Sequence, residues 1–251
     1  MQTHGELRIE PSAELLDRAR RWLDPVRTAL GPEFLSAYLT GSVLTQGFDA
    51  RHSHINLLVV SRTLDLDTLT RLVTAIPPPG KPPRIEPLLL SRQQIEHSLD
   101  VFPIEWLEIR ERHLRLEGED FIEGLEVSRE FLRLQCEHEL RGKHIQLRQA
   151  YLAAHDKADE LHRVLRGSAS SFATLFRTLL RLRGETPPAD NPAVIERLAR
   201  LYDLHVEGLL GAHILRYTAT RPPQAEVIDT YRRFLTQIDR LILAIDEMRV
   251  S

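Results

Sequence analysis

A chain of 251 residues is long enough for one large domain or two small ones, each with its own core. Lysine and arginine total 33 against 36 acids, a formal charge of −3, so no global positive excess exists to draw in nucleic acid, and such a partner is not expected. Cys136 is the single cysteine, which excludes an intrachain disulfide, and 42% apolar content describes an ordinary soluble protein. The N-terminal residues lack a basic region followed by an apolar run, and no apolar run is long enough to span a bilayer. The expectation is a cytoplasmic protein without a membrane segment.

Ala13 to Leu30 carries apolar residues at spacings of three and four and stops at Gly31-Pro32, which predicts a helix with a possible break at Pro25. Phe34 to Thr40 reads as a strand ending in a Gly41-Ser42 turn, and Ile55 to Val60 as a buried strand. Leu66 to Ile76 has helical spacing and ends at a proline-rich connection over 77–83. Arg84 to Leu90 reads as a strand, and Ser91 with Gln94 as a capped helix start. Val101 to Ile109 is a further strand candidate.

The character changes after that. Leu132 to Ala154 and Leu161 to Leu182 predict long helices, the second with a possible interruption at Gly167-Ser168. Asn191-Pro192 marks another start, with Asn as the cap. One broken helix or two run from Ala193 to Thr218, and Ala225 to Met248 forms the last. Strands in the first half and helices in the second predict an α+β fold: a mixed-sheet domain over 1–123, then an all-helical bundle over 124–251.

Gly41-Ser42-Val43-Leu44-Thr45-Gln46-Gly47, followed by Ser53-His54-Ile55-Asn56 and an apolar strand, resembles the signature of nucleotidyltransferases. The family pattern has Gly-Ser, a later Gly, then Ser-Asp-x-Asp. Here His54 and Asn56 stand at the two Asp positions. The layout of a sheet domain and a helical domain is similar to that of kanamycin-type antibiotic nucleotidyltransferases. Leu116-Glu117-Gly118-Glu119-Asp120 resembles a Leu-x-Gly-x-Asp segment of such enzymes. The resemblance implies a third carboxylate on a later strand, for which Glu105 is the first match and Glu108 the second. It also implies a base for the acceptor hydroxyl in the helical domain, for which Glu139 is nearest, with Lys143 over phosphate. A homodimer is a further implication.

Nucleotidyl transfer needs metal-bound oxygens to orient the attacking hydroxyl and offset charge on the pyrophosphate. Acids at i and i+2 of a strand put both carboxylates on one side of the sheet. His54 and Asn56 keep that geometry and remove both charges. The expectation is therefore a nucleotidyltransferase-like protein that does not carry out ordinary magnesium-dependent transfer but binds a nucleotide or another phosphate-bearing small molecule. Gly41, Ser42, His54, Asn56, Arg84, Arg141 and Lys143 are the candidate ligand-binding residues. Two alternatives stay open. One is an active enzyme with an altered site, with Glu105 and Glu139 catalytic, magnesium as cofactor and a small-molecule hydroxyl as acceptor. The other is a scaffold without a nucleotide. His52, His54 and Glu105 form a transition-metal alternative. Glu137 with Arg141, and Glu139 with Lys143, are spaced as i,i+4 helix pairs. Gly142 among them suggests close packing or a binding demand.

Overall fold

The computed structural model describes residues 10–45, 48–50, 53–78, 80–154, 157–217 and 222–249, with the side chain of Tyr217 left out. The chain divides into two compact units, 1–127 and 128–251. The first has the elements α1 (Ala13–Leu30), β1 (Phe34–Thr40), β2 (Ile55–Ser61), α2 (Leu66–Ala75), β3 (Ile85–Ser91), α3 (Arg92–Glu96), α4 (Pro103–Glu111) and β4 (His113–Gly118). The second is helical: α5 (Arg129–Ala154), α6 (Ala158–Leu182), α7 (Asn191–Leu201), α8 (Val206–Tyr217) and α9 (Gln224–Asp246). A mixed α+β unit followed by a helical one is the fold class expected.

The four strands lie in the order β3-β2-β1-β4, with β2 and β3 parallel and β1 antiparallel to both neighbours. Side chains alternate across the sheet. Ala37, Leu39, Ile55, Leu57 and Val59 pack on Ala19, Leu23 and Val26 of α1 and Leu72 of α2. Tyr38, Leu58 and Val60 pack on Ile95 of α3, Trp106 of α4 and Ile122. The unit is thus three layers, and β2 is buried on both faces, which is why it reads as a continuous apolar run. Pro87 is tolerated in β3 because β3 is an edge strand.

Local chemistry explains most boundaries. The Ser12 hydroxyl caps α1, accepting from Leu15 N at 3.4 Å, and α1 ends at Gly31 with φ +55°. Pro25 lies inside α1 without ending it. Asp65 caps α2 by accepting from Thr68 N at 2.8 Å. Ser91 and Gln94 form a reciprocal capping box at α3. Asp190, one residue ahead of the expected Asn191, caps α7 through Ala193 N at 2.9 Å, which leaves Asn191 and Pro192 in the first turn. Gly167 and Ser168 do not interrupt α6, whose apolar face runs on from Leu161 and Leu165 to Phe172 and Leu179. The break expected between 193 and 218 falls at Asp203, with φ +51°.

The expected strand over Val101–Ile109 is corrected: these residues lead into and form α4. Pro103 fits a first helical turn, and buried Pro103, Ile104, Trp106 and Leu107 follow helical rather than alternating spacing. The indole of Trp106 donates to Ser98 Oγ at 2.9 Å, fixing α4 against the preceding turn. The fourth strand is instead His113–Gly118.

In the helical unit, α6 packs against α5, α7, α8 and α9. Phe172 meets Phe234 of α9 edge-on at 5.0 Å. Tyr231 of α9 donates to Leu147 O of α5 at 2.7 Å, and burial pushes its phenol above the usual range.

Candidate active site

Strand register assembles one polar row at an edge of the sheet. Thr40, the last residue of β1, is opposite both Asn56 of β2 and His113 of β4. Asn56 is opposite Glu86 of β3. Directly opposed residues share a face, so the row reads Glu86, Asn56, Thr40, His113. It lies on the face that carries Tyr38, Leu58 and Val60, because these alternate with it along the strands.

The loop after β1 closes this edge. Gly41–Leu44 forms a short 3-10 turn, and the Ser42 carbonyl accepts from both Thr45 N and Thr45 Oγ1. Gly41 has φ +76°, and a β-carbon built on it would lie 2.9 Å from Asn56 Nδ2. Gly41 is therefore required twice, for its left-handed backbone and for the space that the side chain at 56 occupies. Ser42 and His54 are exposed and Asn56 is partly buried. His54 directly precedes β2, where Ile55 N donates to Arg84 O at 2.8 Å.

His113 and the Leu-x-Gly-x-Asp segment close the other end of the row. His113 Nδ1 lies 3.0 Å from Arg110 O, and its Nε2 3.4 Å from Asp120 Oδ2. With a carbonyl as partner, Nδ1 carries the proton. Gly118 has φ +86°, and a β-carbon there would sit 2.0 Å from Leu35 O. Tyr38 stands edge-on to His113 and donates to Glu119 O at 2.6 Å, and burial raises its phenol pKa. In this chain the segment anchors β4 across β1 and holds Asp120 against His113.

The remaining sequence candidates fall into separate places. Glu105 is exposed on α4, not on a strand, so the expected strand-borne third carboxylate is not Glu105. Glu108 is on the same helix and pairs with Arg112 at 2.9 Å. The carboxylate that the sheet does place beside position 56 is Glu86, at an ordinary strand position that no sequence motif marks. Arg84 is exposed just before β3 and lines a concavity with Arg18, Trp22 and Lys81. His52 lies outside the described residues. Among the described residues no three His, Cys, Asp or Glu side chains form a group able to hold a metal ion.

On α5 of the other unit, Glu137 accepts from Arg141 at 2.7 Å and from Arg133 at 2.9 Å. Hydrogen bonding from Arg141 is the main reason its carboxyl titrates below the usual range, against a smaller opposing effect of burial. Arg141 also reaches Asp246 at 3.4 Å. Lys143 and Glu139 form an i,i+4 pair at 3.8 Å. Gly142 is exposed with no neighbour within 4 Å of a β-carbon, so close packing does not account for it.

Magnesium fits this donor set poorly. Two-metal transfer relies on carboxylates that hold ions about 3.5–4 Å apart. Beside the neutral amide of Asn56 the row offers one carboxylate, Glu86, while Asp120 lies at its far end against His113, and His54 adds a nitrogen donor better suited to transition metals.

A helix-backed mixed sheet followed in the chain by a helical unit is similar in fold to a solved nucleotidyltransferase. The chain is similar to spectinomycin adenyltransferase AAD(9) from Enterococcus faecialis, solved with ATP and spectinomycin, with a TM-score of 0.50 at 13% identity over 90% of this chain and 99% of that one. It is also similar to a nucleotidyltransferase-like protein from Exiguobacterium sibiricum, with a TM-score of 0.39 at 14% identity over 92% of this chain and 76% of that one. At such identities the likeness is one of fold, and it rests on the first structure. No family model matches the chain, and no curated protein matches its sequence.

Proposed function

We propose that this chain is a nucleotidyltransferase-like protein that does not catalyse ordinary magnesium-dependent nucleotidyl transfer, and that its sheet edge binds a phosphate-bearing small molecule. The observation that carries this reading is the environment of Asn56. Its amide sits against Gly41 and opposite Glu86, in the position where the resemblance places the second acid. A neutral amide at 56 leaves Glu86 as the one carboxylate beside it, which weakens any hold on magnesium there. It also lowers the repulsion that a metal-free phosphate would meet. Exposed Ser42 supplies a hydroxyl beside the turn, and Arg84 a cation near the start of β3. A similar fold holds ATP and spectinomycin in AAD(9), which makes nucleoside triphosphates the first ligands to try.

Calorimetric titration of the metal-free protein with ATP, GTP, CTP and UTP tests the binding half. We expect one of them to bind without magnesium and to weaken with added salt and with Arg84→Ala. Absence of binding below millimolar concentration would leave the scaffold reading in its place. The altered-site enzyme is the second reading, favoured by the survival of Glu86 opposite Asn56. It requires turnover that Glu86→Gln abolishes.

A further inference from the structure

The helical unit carries a basic bowl on α6 that the reading of the sheet edge does not use. Asp159, His162, Arg163 and Arg166 recur at helical spacing on one face of α6, and Gly167 of the same helix and Arg216 of α8 complete the lining. The bowl has a volume of about 740 Å³, within the range of about 300–1,000 Å³ usual for small-molecule sites. Among the described residues the lining has three arginines to one aspartate, a basic balance in a chain whose overall charge is −3.

We propose that this bowl binds a small, multiply charged oxyanion of the polyphosphate or phosphate-ester class. Three observations separate it from a merely solvated helix face. First, the cations come from two helices: Arg163 and Arg166 from α6, Arg216 from the last turn of α8. Second, these helices are tied together at the bowl. His162 Nε2 lies 2.9 Å from Leu215 O, and since a carbonyl only accepts, Nε2 is the donor. That bond fixes the chain next to Arg216. Third, Gly167 stands inside α6 with no atom within 4 Å of where its β-carbon would be. A glycine there weakens the helix and serves no packing contact. Its effect is to leave the floor of the bowl open beside Arg163 and Arg166. Arginine forks match phosphate oxygens in pairs, so a ligand with several adjacent phosphates engages this set best.

The test is calorimetric titration of the full chain with inorganic tripolyphosphate and, separately, with ATP. The titrations are run without magnesium and repeated in Asn56→Asp, so that any sheet-edge contribution is recognised by its sensitivity to that substitution while the bowl's is unaffected. We expect tripolyphosphate to bind, with ATP comparable, and added salt to weaken both. The double variant Arg163→Ala/Arg166→Ala should bind at least about tenfold more weakly at an unchanged unfolding temperature, since both residues are exposed. Gly167→Gln should raise the unfolding temperature while weakening binding, a combination that a purely structural glycine would not give. No binding, or binding indifferent to the double variant, overturns the proposal. So does an affinity for single-stranded oligonucleotides that exceeds tripolyphosphate and rises with their length, which assigns the bowl to a nucleic acid.

Discussion

Gly41 and Asn56 constrain each other. Because Gly41 is left-handed and its missing β-carbon would fall 2.9 Å from Asn56 Nδ2, Gly41→Ala should cost about 1–2 kcal/mol in denaturant unfolding and displace the side chain at 56. Gly118→Ala should be worse, at about 3 kcal/mol or more. The atoms a new β-carbon would meet, Leu35 O and Ser36 Cα, are backbone and cannot rotate away. Asn56→Asp adds a negative charge beside Glu86. It should weaken metal-free triphosphate binding and make what remains depend on magnesium. His54 and Asn56 stood out in the sequence because they sit in a short, ordered frame that resembles a known motif. Glu86, Thr40 and His113 did not. Each is an ordinary strand residue until parallel pairing with β3 and antiparallel pairing with β4 bring it into one row.

At the level of elements, capping chemistry marked boundaries well. Ser91 with Gln94 announced α3, and Ser91→Ala should lower stability by about 1 kcal/mol. Short apolar runs were the ambiguous case. Phe34–Thr40 and Val101–Ile109 look alike in composition, yet one is β1 and the other largely α4. Pro103 at a first turn and the spacing of Trp106 and Leu107 decide for helix, and only contact with Ser98 and the sheet makes that visible. Within α5, Glu137 joins Arg133 and Arg141 with its side chain 17% exposed, so Glu137→Gln should cost about 1–2 kcal/mol. Its folded carboxyl titrates below the ordinary glutamate value of 4.5, chiefly because Arg141 hydrogen-bonds to it. The stability it contributes is therefore complete above that value and is lost as pH falls through the lower folded one. His213 on α8 behaves in the same sense for a different reason. Burial first, and the charge of Arg216 second, hold its pKa below 6.5. Its neutral form is favoured in the fold, so its contribution is complete above pH 6.5 and falls as the unfolded chain takes up a proton below it. His213→Gln should flatten that part of the profile of denaturant midpoint against pH.

Over the whole molecule, the change from short bounded strands to long amphipathic helices was legible because it follows from period alone. We expect residues 1–127 and 128–251 to fold as separate fragments with cooperative thermal transitions, since each is a compact unit with its own core. Among the described residues no helix is long and apolar enough to cross a membrane. Whether the sheet edge transfers nucleotides is read from pyrophosphate release. The intact protein is offered each of ATP, GTP, CTP and UTP with magnesium or manganese, and spectinomycin and other hydroxyl-bearing small molecules as acceptors. We expect no release above the protein-free rate and no modified acceptor. Sustained turnover that Glu86→Gln abolishes would contradict it and make this chain an enzyme with an altered metal site.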